Sequence, residues 1–146
     1  MDGYLDRIGA GLVLKDSGPL SFDFIPKSLV GRDDKFVDLA TIFATITMPE
    51  TSCNALITGP VGSGKTALAK IFANDLEKKF WKKRQIPNVH INCRTYNTTT
   101  QVLHRIITKL EPRYPVRGLS SSEVLSSIRK ILRNSKQHIL IILDEV

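Results

Sequence analysis

Apolar residues recur at helical spacing in four stretches of the chain and form short unbroken runs in three others. Phe36, Leu39, Ala40, Phe43 and Ile46 lie three or four apart, which predicts a helix opened by residues 31–34, running to Thr47 and stopped by Pro49. Leu68, Ile71, Phe72, Leu76 and Phe80 predict a second helix from Lys65 to about Phe80. Val102, Leu103, Ile106, Ile107 and Leu110 mark a third. Val124, Leu125, Ile128, Ile131 and Leu132 mark a fourth, whose start is signalled by the capping pair Ser120 and Glu123. The runs Asn54–Thr58, Val89–Asn92 and Ile139–Leu143 predict strands. Strands that alternate with helices and are apolar on both faces imply an α/β fold, a parallel sheet covered by helices on both sides.

The ends and the composition add less. Residues 1–23 read as an N-terminal extension rich in Gly and Asp, and Phe24–Val30 is a short apolar segment broken by Pro26. The first ten residues lack the basic, apolar, small-residue order of a signal peptide. No apolar run reaches the roughly 18 residues that suggest a membrane span, so no membrane partner is expected and a cytoplasmic location is the default. Cys53 and Cys93 are far apart with no histidine at ligand spacing, and read as two reduced thiols. His90, His104 and His138 are scattered and read as surface or core histidines.

Charge divides the chain. Residues 1–50 carry five Lys and Arg against eight Asp and Glu, whereas residues 51–146 carry sixteen against six, a balance of +10. A basic region meets nucleic acid, or binds nucleotide and stays soluble; charge alone leaves both readings open. The basic run Lys78–Arg84 around Trp81 reads as a solvated helix end, where cations suit the dipole, with a DNA contact as the alternative.

The chemistry is concentrated in two places. Gly59-Pro60-Val61-Gly62-Ser63-Gly64-Lys65-Thr66 matches the phosphate-loop pattern and stands between an expected strand and an expected helix. Its glycines let backbone N–H groups turn inward and phosphate come close. The helix beginning at Lys65 adds unsatisfied N–H groups and the positive end of its dipole. Lys65 is placed for the β- and γ-phosphates, Thr66 for Mg²⁺, and Ala67 directly after the loop joins the nucleotide-binding set. The second place is the end of the last strand. Asp144 is expected to hold the magnesium through water, and Glu145 to polarise a water for attack on the γ-phosphate. Asn92, at the carboxyl end of the preceding strand, is either an ordinary turn residue or a partner that hydrogen-bonds and gates Glu145. Glu145, Lys65 and Asn92 are thus the catalytic candidates, with ATP or ADP and Mg²⁺ as cofactors.

Four segments, FIPKSLVGRDDKFVDLATIF, LITGPVGSGKTALAKIF, VHINCRTYNTTTQVLHRIITKL and ILIILDEV, resemble the start of the archaeal and eukaryotic origin-recognition and cell-division-control replication initiators, members of the AAA+ ATPases. The resemblance covers Phe24 to Val146. It implies that Ile25, Pro26, Leu29, Val30 and Arg32 line an adenine pocket, and that Asn92 is the polar residue communicating with the catalytic Glu. It also implies that residues 95–117, basic through Arg105, Lys109, Arg113 and Arg117 and carrying Tyr114, form a helical insertion able to touch origin DNA.

The resemblance further implies that residues 24–146 are a truncated AAA+ ATP-binding domain without its sensor strand, arginine finger, lid and winged helix. In that arrangement the first three strands are present, and a fourth belongs between the strand at 54–58 and the strand at 139–143. A lone fragment is then expected to close the gap, pair with a second copy, or be marginally stable. The functional expectation is the ATP-binding portion of a DNA replication initiator that recognises origins and helps load the replicative helicase beside other initiator subunits. It would work in the cytoplasm at the nucleoid, or in the nucleus of a eukaryote. The alternatives are another AAA+ DNA-associated ATPase of clamp-loader or helicase-loader type, and a nucleotide-regulated DNA-binding switch with negligible turnover.

Overall fold

A computed structural model describes residues 24, 26, 29–48, 51–82 and 85–146. The expected extension at residues 1–23, the pocket candidate Ile25, the helix stop Pro49 and the last two residues of the basic run lie outside the described residues. The elements in chain order are α1 (Asp33–Ile42), α2 (Lys65–Phe80), β1 (Asn88–Asn92), α3 (Thr99–Leu110), α4 (Ser121–Ser135) and β2 (Leu140–Asp144). β1 and β2 pair in parallel, Asn88 against Leu140 through Asn92 against Asp144. The hairpin of α3 and α4 makes the crossover that a parallel pair requires.

Alternation along β1 sorts its side chains onto two faces. Val89 and Ile91 are buried against α3 and α4, in a cluster with Ile106, Ile107, Val124 and Ile128. Asn88, His90 and Asn92 face the other way, where Asn88 Nδ2 donates to Glu77 Oε2 of α2. On that side Leu68 joins Leu39, Phe43, Ile46 and Ile86, with Phe72 and Leu140 packed against them. The fold is therefore α/β, a parallel sheet between helices.

Both capping boxes in the α3–α4 hairpin form. Ser120 Oγ accepts from the Glu123 N–H while the Glu123 side chain accepts from the Ser120 N–H, as the sequence signalled. Thr98 and Gln101 make the same reciprocal pair at the start of α3. Thr-x-x-Gln is equally legible as a capping box, and the sequence reading passed over it.

Three expectations need correction. Residues 54–58 have no ladder partner among the described residues and are not a strand, so two strands pair instead of three. An apolar run indicates burial but does not supply the neighbour whose hydrogen bonds make a strand. β2 is not buried on both faces: Ile141 is 39% and Leu143 50% exposed. These two lie on the α3–α4 side of the sheet, but the hairpin seats on β1 and leaves them uncovered. Finally, α1 ends at Ile42 instead of Thr47, and turns with i to i+3 hydrogen bonds follow, such as Ile46 N–H to Phe43 O at 3.1 Å. Thr41 Oγ1 donates back to Val37 O, a bond that weakens helices. Phe43 and Ile46 are nonetheless buried as their spacing predicts.

Between residues 55–58 and β2 the structure keeps an open cavity of about 390 Å³, floored by Leu39, Phe43, Ala69 and Phe72. The expected gap beside β2 is held open. Lys65, Thr66, Asp144 and Glu145 line the same cavity.

Candidate functional site

The loop before α2 is built by backbone geometry. Gly59, Gly62 and Gly64 all have positive φ, of 152°, 77° and 81°. At Gly59 a Cβ would also stand 3.2 Å from Ser63 Oγ, so a side chain there would be strained and crowded. Gly64 is the N-cap of α2 and no side chain caps it. The first intrahelical bond runs from Leu68 N–H to Gly64 O, 2.8 Å, which leaves the N–H groups of Lys65, Thr66 and Ala67 directed out of the helix end. Gly62, Gly64, Lys65, Thr66 and Ala67 line a second cleft of about 310 Å³ together with Phe24 and Lys70. An uncapped, positively polarised helix end beneath a glycine loop suits phosphate. Lys65 Nζ donates to Gly59 O and Pro60 O at 3.0 and 2.8 Å, so its ammonium is held at the mouth of the loop.

The two motifs meet although they are far apart in sequence. Thr66 Oγ1 donates to Asp144 Oδ2 at 2.7 Å. Burial pushes the Asp144 carboxyl upward. The hydrogen bonds from Thr66 and His90, the charge of His90 and the N–H of Glu145 outweigh that, and its pKa lies below the ordinary carboxylate value. A hydroxyl and an ionised carboxylate side by side are the hard oxygen donors that Mg²⁺ prefers. Among the described residues no group of three or more His, Cys, Asp or Glu gathers to hold a metal. An ion at Thr66 and Asp144 would therefore take the rest of its ligands from phosphate and water, as Mg²⁺ commonly does. The residues present fit nucleotide with magnesium.

Glu145 follows Asp144 with φ of 56°, a left-handed conformation unusual away from glycine. Its Oε2 accepts from Asn92 Nδ2 at 2.7 Å, and Arg94 Nε lies 3.8 Å from the same oxygen. Asn92 Oδ1 in turn accepts from the N–H of Arg94 at 2.9 Å. Asn92 thus does both things open to it in the sequence: it bonds Glu145, and it makes the turn, its Oδ1 accepting from the N–H groups of Arg94 and Thr95.

Of the adenine-pocket candidates among the described residues, Leu29 packs against the cluster of Leu39, Phe43 and Leu68. Arg32 Nη2 donates to Ser63 O at 2.7 Å, which ties the segment before α1 to the phosphate loop. Pro26 is half-buried, and Val30 is 99% exposed and lines neither cleft. Val61 is likewise fully exposed at the tip of the loop. In the insertion, Arg105, Lys109, Arg113 and Arg117 are exposed. Tyr114 is not free to stack on a base: it packs on the core, and its hydroxyl donates to Ser127 Oγ at 2.6 Å. Arg105 instead covers the ring of Tyr96 at 5.0 Å. Sequence reasoning missed His90, Arg94 and Lys70. Strand alternation does put His90 on the same face as Asn92, but its neighbour on β2 depends on a register that sequence does not show.

Residues 50–146 match the family described as AAA domain, and the chain belongs to that family. Its relatives are archaeal replication proteins. It is 32% identical over 146 residues to the ORC1-type DNA replication protein 1 of Sulfolobus acidocaldarius, which covers all of this chain and 36% of that protein. It is 30% identical, with the same coverage, to the ORC1-type DNA replication protein 1 of Methanosarcina mazei. The chain thus spans about a third of the length of the curated relatives it matches. The Aeropyrum pernix ORC1 protein, solved in complex with DNA, superposes with a TM-score of 0.76 at 30% identity, over 90% of this chain and 35% of that one. The Aeropyrum pernix ORC2 protein, solved as ADPNP-ADP complexes, reaches 0.78 at 23% identity over the same 90% and 35%, a likeness of fold. The resemblance read from the sequence over Phe24 to Val146 is thus met by archaeal ORC1-type DNA replication proteins that match the whole chain, and the glycine loop lies within the part that matches the AAA domain. No helix among the described residues is long and apolar enough to cross a membrane.

Proposed function

We propose that this chain binds ATP with Mg²⁺ and serves as the ATP-binding portion of a DNA replication initiator, one that recognises origins and helps load the replicative helicase. The observation that carries the nucleotide reading is the bond between Thr66 Oγ1 and Asp144 Oδ2, which joins the phosphate loop to the end of β2. Magnesium, when bound, would polarise the phosphates and neutralise developing charge. The residues of this chain supply the following. Lys65 exchanges the Gly59 and Pro60 carbonyls for phosphate oxygens. The helix end donates its free N–H groups to the same phosphates. Glu145 takes the proton of the attacking water.

A switch with little turnover is the second reading. It draws support from Asn92 and Arg94, which both approach Glu145 Oε2 and hold that oxygen away from a water until the contacts are exchanged. Exposed arginines on the α3–α4 hairpin, and relatives that include a protein solved on DNA, support origin DNA as a partner. The partners further implied are the replicative helicase and other initiator subunits, at the nucleoid or in the nucleus.

Titration of a fluorescent ATP analogue tests the nucleotide reading. Lys65→Ala removes a charge-assisted contact and should weaken binding by about 1.5–3 kcal/mol; equal affinity of the two forms would sink the reading. DNA binding by residues 1–146 should be weak and fall steeply with added salt, since it would rest on phosphate contacts. Retention at high salt, or strong sequence preference, would point to base contacts instead.

A further inference from the structure

His90 stands in the middle of β1, between Val89 and Ile91, which are buried against α3 and α4. It faces the α2 side, and its strand partner there is the apolar Ile142. An imidazole on a covered sheet face costs free energy unless its polar atoms are bonded. Here Nε2 lies 3.1 Å from Asp144 Oδ2, and the His90 side chain is 25% exposed. Because an ionised carboxylate only accepts, Nε2–H is the donor.

Asp144 thus receives three hydrogen bonds from three directions. Thr66 of α2 and His90 of β1 both donate to Oδ2, and the N–H of Glu145 donates to Oδ1 at 3.1 Å. The Glu145 bond is local and follows the carboxylate wherever the chain turns. The Thr66 hydroxyl is the group a cation would engage. His90 is the donor that belongs to neither the loop nor the chain around Asp144, and it is carried by a strand paired to β2 in fixed register.

We infer that His90 is a positioning residue for the divalent cation: it fixes the Asp144 carboxylate so that Asp144 and the Thr66 hydroxyl together present oxygen to a magnesium–nucleotide complex. The inference rests on the nucleotide reading above. Partners that orient a metal-binding carboxylate typically change metal affinity about 10–100-fold when removed. A positioning partner acts only when the metal is present, which separates it from a residue that merely packs.

The test measures binding of a fluorescent ATP analogue to the intact protein, first in EDTA and then across a Mg²⁺ titration. The variants are His90→Phe, His90→Gln and Asp144→Asn. His90→Phe should leave affinity in EDTA unchanged and raise the Mg²⁺ concentration needed for half of the magnesium-dependent gain by about tenfold or more. His90→Gln, whose amide reaches about as far, should recover most of that loss. His90→Val supplies the same comparison if Phe does not fit beside Ile142. If Asp144→Asn impairs the Mg²⁺ response while His90→Phe and His90→Val match wild type, the inference is overturned and the site reading stands. If His90→Phe weakens binding equally in EDTA and in Mg²⁺, His90 is packing alone and the inference fails. If Asp144→Asn also behaves as wild type, the magnesium site itself is wrong and the inference goes with it.

Discussion

The two sides of the sheet are finished to different degrees. Under the α3–α4 hairpin, Ile91, Ile107 and Val124 have no exposed surface, and a reciprocal capping box starts each helix. On the phosphate-loop side neither α1 nor α2 has a side-chain cap, and the cavity beside β2 lies open where the sequence leads one to expect a further strand. The open side is also where Lys65, Thr66, Asp144 and Glu145 meet. The contrast has a physical cause. A helix whose first N–H groups are already capped has none left for a phosphate, whereas α2 with Gly64 at its N-cap keeps them available. Capping and ligand binding compete for the same donors: α4 has spent its donors on the Ser120 cap, and α2 has kept them.

The largest effect should separate chemistry from stability. Glu145→Gln should retain ATP binding and lose turnover by about 10²–10⁴-fold, the usual contribution of a positioned base. Thermal unfolding should scarcely move, because the glutamine oxygen still accepts from Asn92. Phosphate release at the wild-type rate would remove Glu145 from the catalytic role.

Packing provides the next comparison. Ile91→Ala empties a fully buried position under the hairpin and should cost about 2–5 kcal/mol. Leu56→Ala removes an isomeric but exposed side chain from the open side and should stay within about 0.5 kcal/mol. Urea unfolding of the two variants measures both. Equal losses would mean that Leu56 is covered in solution and that the open side is not open.

The smallest effect concerns the cap. Ser120→Ala should cost about 1 kcal/mol by removing the acceptor for the Glu123 N–H. Ser120's hydroxyl and then its backbone N–H hold the Glu123 carboxyl below its ordinary pKa. A lowered folded-state value makes the contribution of Glu123 fully present above the ordinary carboxylate range and loses it as pH falls through the folded value. The stability difference between wild type and Ser120→Ala should therefore shrink below about pH 4. A difference constant down to pH 2 would show that the carboxylate does not take part.

Which features could be read in advance follows from the range of the forces involved. The register-free rules worked: α2 begins at Lys65 and ends at Phe80, and Ile106, Ile107, Val124 and Ile128 are buried at their helical spacing. Ile86, among the most buried residues, was not foreseen, since a lone isoleucine before a strand has no period to reveal it. The phosphate loop was legible because its donors are backbone groups set by consecutive residues. Residues 54–58 were misread because a strand is made by its partner, and composition describes only one member of a pair.

By itself the sequence determined the helices, their caps, the loop's glycines and the candidate identities of Lys65, Thr66, Asp144 and Glu145. These depend on residues a few positions apart, whose spacing is set by covalent geometry. Only the tertiary structure decided that Thr66 and His90 share one oxygen of Asp144, that Asn92 holds Glu145, that Tyr114 turns inward, and that the hairpin covers β1 while Ile141 and Leu143 stay bare. Each of these depends on the register of two strands and the seating of helices upon them. A one-residue slip in that register would turn every such side chain to the opposite face.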